Sequence, residues 1–283
     1  PENIRTIIDT LFVKNAKKSL DKLNLRHSHY IKSEKYKGEI HFSTGSNTAR
    51  SSSNFYALNN AIATLFEIRG VGIGKTSFKR RINSGLSVGF SFLKTAYENS
   101  IFIFDEIAKA NTYSNVIVLE HQRSIYTDVI KAIDIGSNEM IDFETTMHSS
   151  KDSYAISKRD RPLAYIIKQN NFGFIEKLKD VGIDYVELQK DTVIYSGGYR
   201  VIEFNDNFKV YEKMRMQKVV TSIEYNDNGF SKGDILISMN QKRSNLIAEL
   251  LEPEAPNSYV SFGIINTSLN SQLPIYRIKN LNN

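Results

Sequence analysis

The chain has 283 residues, 41% hydrophobic and 24% charged, a balance that belongs to folded rather than disordered proteins. Its 37 Lys and Arg against 31 Asp and Glu leave a mildly basic net charge of +6. Cysteine is absent, which excludes disulfides, thiolate nucleophiles and Cys-ligated metals, and no apolar run approaches the roughly 20 residues that a membrane-crossing helix requires.

In chain order, Ile4, Ile7, Ile8, Leu11, Phe12 and Ala16 recur at helical spacing. Leu20 and Leu23 extend the stripe, predicting a helix over 1–24 with Lys14, Lys17, Lys18 and Lys22 on its other face. The polar stretch 25–53 ends in a loop over 44–53, and Asn54 is placed to cap a short helix reaching 59 or 60. The apolar run Ala61–Phe66 reads as a buried strand of a parallel sheet, cut off by Gly70, Gly72 and Gly74. A helix is expected over about 77–96, a further apolar segment at 101–104, and a charged helical stretch over 105–135. From about residue 140 the pattern changes to short β-prone runs at 164–168, 192–195, 199–204, 219–225, 234–239 and 259–262. Ser196-Gly197-Gly198 and Asn226-Asp227-Asn228-Gly229 read as turns between them, and one helix over 171–182 ends at Gly182. The fold class predicted is α/β: a mixed α/β unit over 1–139 followed by a β-rich accessory unit over 140–283.

Four features carry possible chemistry. Glu67 closes the apolar run and precedes Arg69 and the Gly-rich turn, where a carboxylate leaves a sheet core and meets a cleft. Partial desolvation there would raise its pKa and suit it to general-base work, although an ion pair with Arg69 is the plainer reading. Gly70-Val71-Gly72-Ile73-Gly74-Lys75-Thr76 suggests a phosphate loop, but the first glycine that this motif requires is replaced by Arg69. His27 and His29 would share one side of a strand and could chelate a metal, though no histidine here lies in a zinc-binding motif. Arg50 could fork around a substrate carboxylate or be an ordinary surface arginine, and Lys79-Arg80-Arg81 reads as a solvated helix face.

The stretch Asn54–Gly74, with Glu67-Ile68-Arg69-Gly70 at its heart and Phe78-Lys79-Arg80-Arg81-Ile82 following, resembles the last part of the catalytic domain of carboxypeptidase A-like zinc metallocarboxypeptidases, nearest to bacterial members. Ile237–Gln241, Leu246–Glu254 with its Leu-Leu-Glu-Pro-Glu, Ser258–Asn266 and Leu273–Arg277 are similar to the same group. The resemblance implies the C-terminal portion of a mixed-sheet α/β/α carboxypeptidase domain. It makes Glu67 the general base that takes a proton from a zinc-bound water, whose pKa the metal lowers to about 7. It also makes Arg50 the residue gripping a substrate carboxylate.

The family's His-x-x-Glu ligand pair and second His are not found, nor is its mobile Tyr near 45–47, with Tyr56 too close to Glu67 to replace it. The opening Pro1-Glu2-Asn3 lacks Met, so the expectation is that an N-terminal half of the catalytic domain lies upstream and carries the zinc ligands. This chain alone is then expected to hold no metal and to be inactive. The expected partner of the complete enzyme is a peptide substrate, with a peptidoglycan stem peptide as one candidate; neither nucleic acid nor membrane is expected. The competing expectation is a non-catalytic peptide- or glycan-binding module on the same scaffold.

Overall fold

The computed structural model describes residues 1–110, 114–169 and 172–279. The chain is mixed α/β, with one mixed and one antiparallel sheet among the described residues. It divides into two compact units, one built from 1–47, 51–112 and 121–154, the other from 48–50, 113–120 and 155–283.

The first unit opens with α1 (Glu2–Ile7), a π-helical turn over Ile8–Val13, and α2 (Lys14–Asp21). The wide turn has a packing reason. It advances the buried face by five residues from Ile7 to Phe12, after which Ala16 and Leu20 follow at four-residue steps, so one apolar stripe stays continuous. That stripe meets α4 (Phe78–Glu98) and α5 (Ser100–Ala110) in two clusters, Ile7, Phe12 and Ile103 in one, and Ala16, Leu20 and Val88 in the other. Asn3 ties α1 to α5 by donating to the Glu106 carbonyl at 2.7 Å. The short helix α3 (Ser52–Leu58) stands near where capping by Asn54 was expected, but its N-cap is Ser51, three residues earlier.

The strands β1 (Ile31–Tyr36) and β2 (Glu39–Thr44) form a hairpin turned at Lys37 and Gly38, both with positive φ, as a two-residue hairpin turn demands. They join β4 (Met140–Asp160) and β3 (Val116–Ile133) in the order β1-β2-β4-β3, with β2 and β4 parallel. The helix expected over 105–135 is therefore corrected: helix stops within α5, and β3 follows. Its β-branched residues Val116, Ile117, Val118, Ile125, Thr127, Val129, Ile130 and Ile133 favour an extended chain.

A second correction concerns Ala61–Phe66. This run forms no strand. Ile62 and Phe66 turn inward, the latter edge-on to Phe92 at 5.0 Å, while Leu65 is 59% exposed. Composition here reported partial burial; a strand also needs a hydrogen-bonded neighbour, and none is present among the described residues.

The second unit is built on a sheet of order β6-β9-β5-β10-β7-β8, from β5 (Ala164–Ile167), β6 (Val186–Glu187), β7 (Thr192–Tyr211), β8 (Met214–Phe230), β9 (Ile235–Ser238) and β10 (Gln272–Ile278). Helices α6 (Phe172–Asp180) and α7 (Ser244–Leu251) interrupt the strands. The first of these matches the helix expected over 171–182, whose residue 171 lies outside the described residues, and Gly182 closes it at φ +69°. All four residues of β5 are buried, as in a strand covered on both faces.

Two glycine-rich turn expectations are also corrected. Ser196-Gly197-Gly198 lies inside β7, and 226–229 lies inside β8 and pairs with 193–196. A Cβ at Gly197 would sit 2.7 Å from Ile223 Cγ2 and from the Tyr225 ring, so these glycines make room rather than a turn. The hairpin actually turns at Glu212 and Lys213, both with positive φ. The run 259–262 lies in turns, not a strand.

Candidate functional site

Glu67 sits on the irregular stretch between α3 and α4, exposed, and no hydrogen bond or ion pair engages it among the described residues. It is not at the end of a strand. The residues before it, with Ser53, Tyr56, Val88 and Phe92, line an open hollow of about 550 Å³, and Glu67 follows directly on the lining residue Phe66. The residues after it are shaped by α4. The Arg81 guanidinium donates to the carbonyls of Gly70 (2.7 Å), Arg69 (3.4 Å) and Gly74. This arrangement decides against a phosphate loop: carbonyl oxygens, not N–H groups, converge on the centre, and a cation occupies it. It also removes Arg81 from the solvated basic face expected for Lys79-Arg80-Arg81.

Arg50 belongs to the second unit, Glu67 to the first. The Arg50 guanidinium lies 4.0 Å from the Tyr211 ring centroid and 5.3 Å from that of Phe262, and its Nη1 donates to Asn257 Oδ1. Asn257 in turn donates to Glu249 Oε1 at 2.5 Å. The two aromatic rings and the Asn257 amide oxygen hold the guanidinium in place, and such a planar group can fork around a carboxylate. No local sequence signal announces this setting, because Tyr211, Asn257 and Phe262 are remote from Arg50 along the chain.

The histidines separate. His27 and His29 precede β1 rather than lying on it. His27 pairs with Asp21 at 2.9 Å and His29 lies 3.4 Å from Lys17 Nζ, so they do not form a chelating pair. Burial and then the neighbouring Lys17 charge push the His29 pKa below its ordinary value. His41 on β2 and His148 on β4 are buried, and their ring nitrogens bond each other at 2.8 Å with Tyr36 packed against both.

The densest electrostatics lie elsewhere, in the second unit, around Glu252. Its carboxylate is fully buried and receives Arg159 Nη1 at 2.6 Å and the Tyr165 hydroxyl at 2.5 Å, with Arg277 Nε at 3.3 Å. Arg159 also pairs with Glu254, which accepts from the Thr221 N–H (2.7 Å) and hydroxyl (2.9 Å). Burial, then the Glu252 charge, hold the Tyr165 and Tyr199 hydroxyls protonated well above the usual phenol range. Two Arg and two Glu leave the cluster neutral, so it reads as a structural clasp closing α7 onto β5 and β10. Its sequence signals are Glu252-Pro253-Glu254 after an apolar helix, and Arg277 inside the apolar strand 273–278.

Comparison with known proteins bears on the whole chain. It is 27% identical to a carboxypeptidase 2 of Trichophyton equinum over 98% of its length, and 26% identical, over the same share, to proteins of that name from Trichophyton tonsurans and Trichophyton rubrum. The chain is similar to fungal carboxypeptidases. It spans about half the length of these curated relatives, 53% of each. Their fungal origin points away from the bacterial subgroup that the sequence resembles. No family model matches the chain, and no solved structure does.

Proposed function

We propose that the chain is part of a metallocarboxypeptidase that hydrolyses a peptide or amide bond next to a free carboxylate, with Glu67 as general base. The observation that carries this reading is the similarity to proteins named carboxypeptidase 2 along 98% of the chain. Two features support the proposed role. The Glu67 carboxylate is exposed and unengaged, so it can accept a proton from an attacking water. The backbone that follows it is anchored by three bonds from Arg81, which limits its motion. Within the second unit, Arg50, set against Tyr211 and Phe262, is proposed separately as a grip for a carboxylate.

The metal implied is zinc. Among the described residues no group of three or more His, Asp or Glu is placed to hold a metal ion, and the buried imidazoles His41 and His148 are bonded to each other. The described residues do not fit such a centre, and its ligands are assigned to residues outside the chain.

The test uses the full-length product of the gene, assayed on peptides with free C-termini. Glu67→Gln should leave folding intact and lower kcat by about 10²- to 10⁴-fold, the contribution of a positioned general base. Unchanged turnover rejects Glu67 as the base; no release of C-terminal residues by the unsubstituted protein rejects the carboxypeptidase reading.

A further inference from the structure

We infer that residues 62–68 and the outer face of α4 form a joint that receives a β-strand and its covering layer from a part of the protein outside this chain. The inference shares with the proposed function the reading that the chain is a portion of a longer protein, and nothing else.

The helix α4 carries two apolar faces. Val88 and Phe92 face the first unit's core. On the other side Phe78, Ile82, Leu86, Phe90, Leu93 and Tyr97 recur at steps of four, four, four, three and four residues, and all are exposed, Leu93 by 68% and Tyr97 by 85%. The stripe continues into α5 with Ile101 and Phe104. A helix apolar on two sides is the pattern of an element covered on two sides. A contiguous exposed patch of this length marks a surface meant for something else to lie on.

The adjoining segment has the complementary defect. No backbone N–H from Ile62 to Gly70 donates to a backbone carbonyl among the described residues. Ile62 and Phe66 are nevertheless anchored inward, and Ile68 lies against α4, where a Cβ at Gly85 would come within 3.2 Å of its Cδ1. An apolar, anchored segment with an unused row of donors is a template for strand addition. A strand satisfies those donors; a lipid surface or a purely apolar helix does not. The occupant follows from the relatives: each has nearly as many residues beyond the matched portion as within it, enough for a further layer.

The absence of cysteine makes the test direct. Single cysteines at Leu65→Cys and Tyr97→Cys, with Arg80→Cys on the polar side of α4 as control, are labelled with maleimide in the 283-residue chain and in the longer protein. The first two should react about tenfold or more slowly in the longer protein, the control equally in both. Amide exchange over 62–68 should slow by a similar factor, which is specific to strand pairing. Equal rates in both proteins overturn the inference. So does protection already present in the 283-residue chain, whether by a second copy or by its own second unit. Protection without peptide hydrolysis keeps the joint and rejects the proposed function; hydrolysis without protection does the reverse.

Discussion

The two units solve opposite problems. The second unit takes charge into its interior and satisfies it: Glu252 is met by Arg159, Arg277 and Tyr165, and Glu254 by Arg159 and Thr221. The first leaves apolar side chains in water, along the outer face of α4 and at Leu65. Isolated exposed apolar residues are ordinary, but a row of them at helical spacing is not. The second unit satisfies its buried charges from its own side chains, whereas the apolar row on α4 is the observation from which a further covering layer is inferred.

Four substitutions and titrations can break or sharpen this contrast. The largest effect is expected from Glu252→Gln, which leaves the buried Arg277 without its counter-charge and Arg159 with Glu254 alone; urea unfolding should report a loss of about 3–5 kcal/mol. A loss below about 1 kcal/mol would make the network ornamental. Next, Gly197→Val forces side-chain atoms into the space held by Ile223 and Tyr225, and the same measurement should register about 1–3 kcal/mol.

A smaller effect lies in alkali. Burial, then the nearby Asp180 charge, raise the Tyr259 pKa to about 12 from the ordinary value near 10. A folded pKa above the unfolded one gives stability that is complete below about pH 10 and is lost as the pH climbs towards 12. Thermal melts of Tyr259→Phe and the unsubstituted chain should therefore differ in their slope with pH within that window and run parallel below it. The smallest effect belongs to the first unit: Leu93→Lys in the 283-residue chain should change stability by no more than about 0.5 kcal/mol, because that side chain is already in water. A loss of several kcal/mol would mean that the outer face of α4 is covered in solution.

The sequence made periodic elements legible and left pairing hidden. The stripe from Ile4 to Leu20, the helix over 78–98 and the strand 164–167 follow directly from apolar spacing. The π-turn at Ile8–Val13 does not, since the one-residue slip serves a packing partner outside the helix. Ala61–Phe66 has the composition of a strand without the neighbour that would make it one. Gly197, Gly198 and Gly229 read locally as turn residues, yet the turn of that hairpin falls at Glu212 and Lys213, because register over a long ribbon outweighs local turn preference. At the site, Glu67 and Arg50 could be singled out as residue types in suggestive places. The aromatic pair that holds Arg50, and the wrapping of Arg81 by the glycine-rich stretch, depend on residues that approach only in three dimensions.

The grip of Arg81 has a mechanical consequence. One planar cation pins carbonyls on either side of a bend, so the bend cannot straighten unless the first turn of α4 moves with it. A push or twist delivered to that helix would be handed on, as through a lever, to the peptide two residues past Glu67. Lysine at 81, with a single nitrogen on a pliant stem, would leave the lever slack even while preserving the charge.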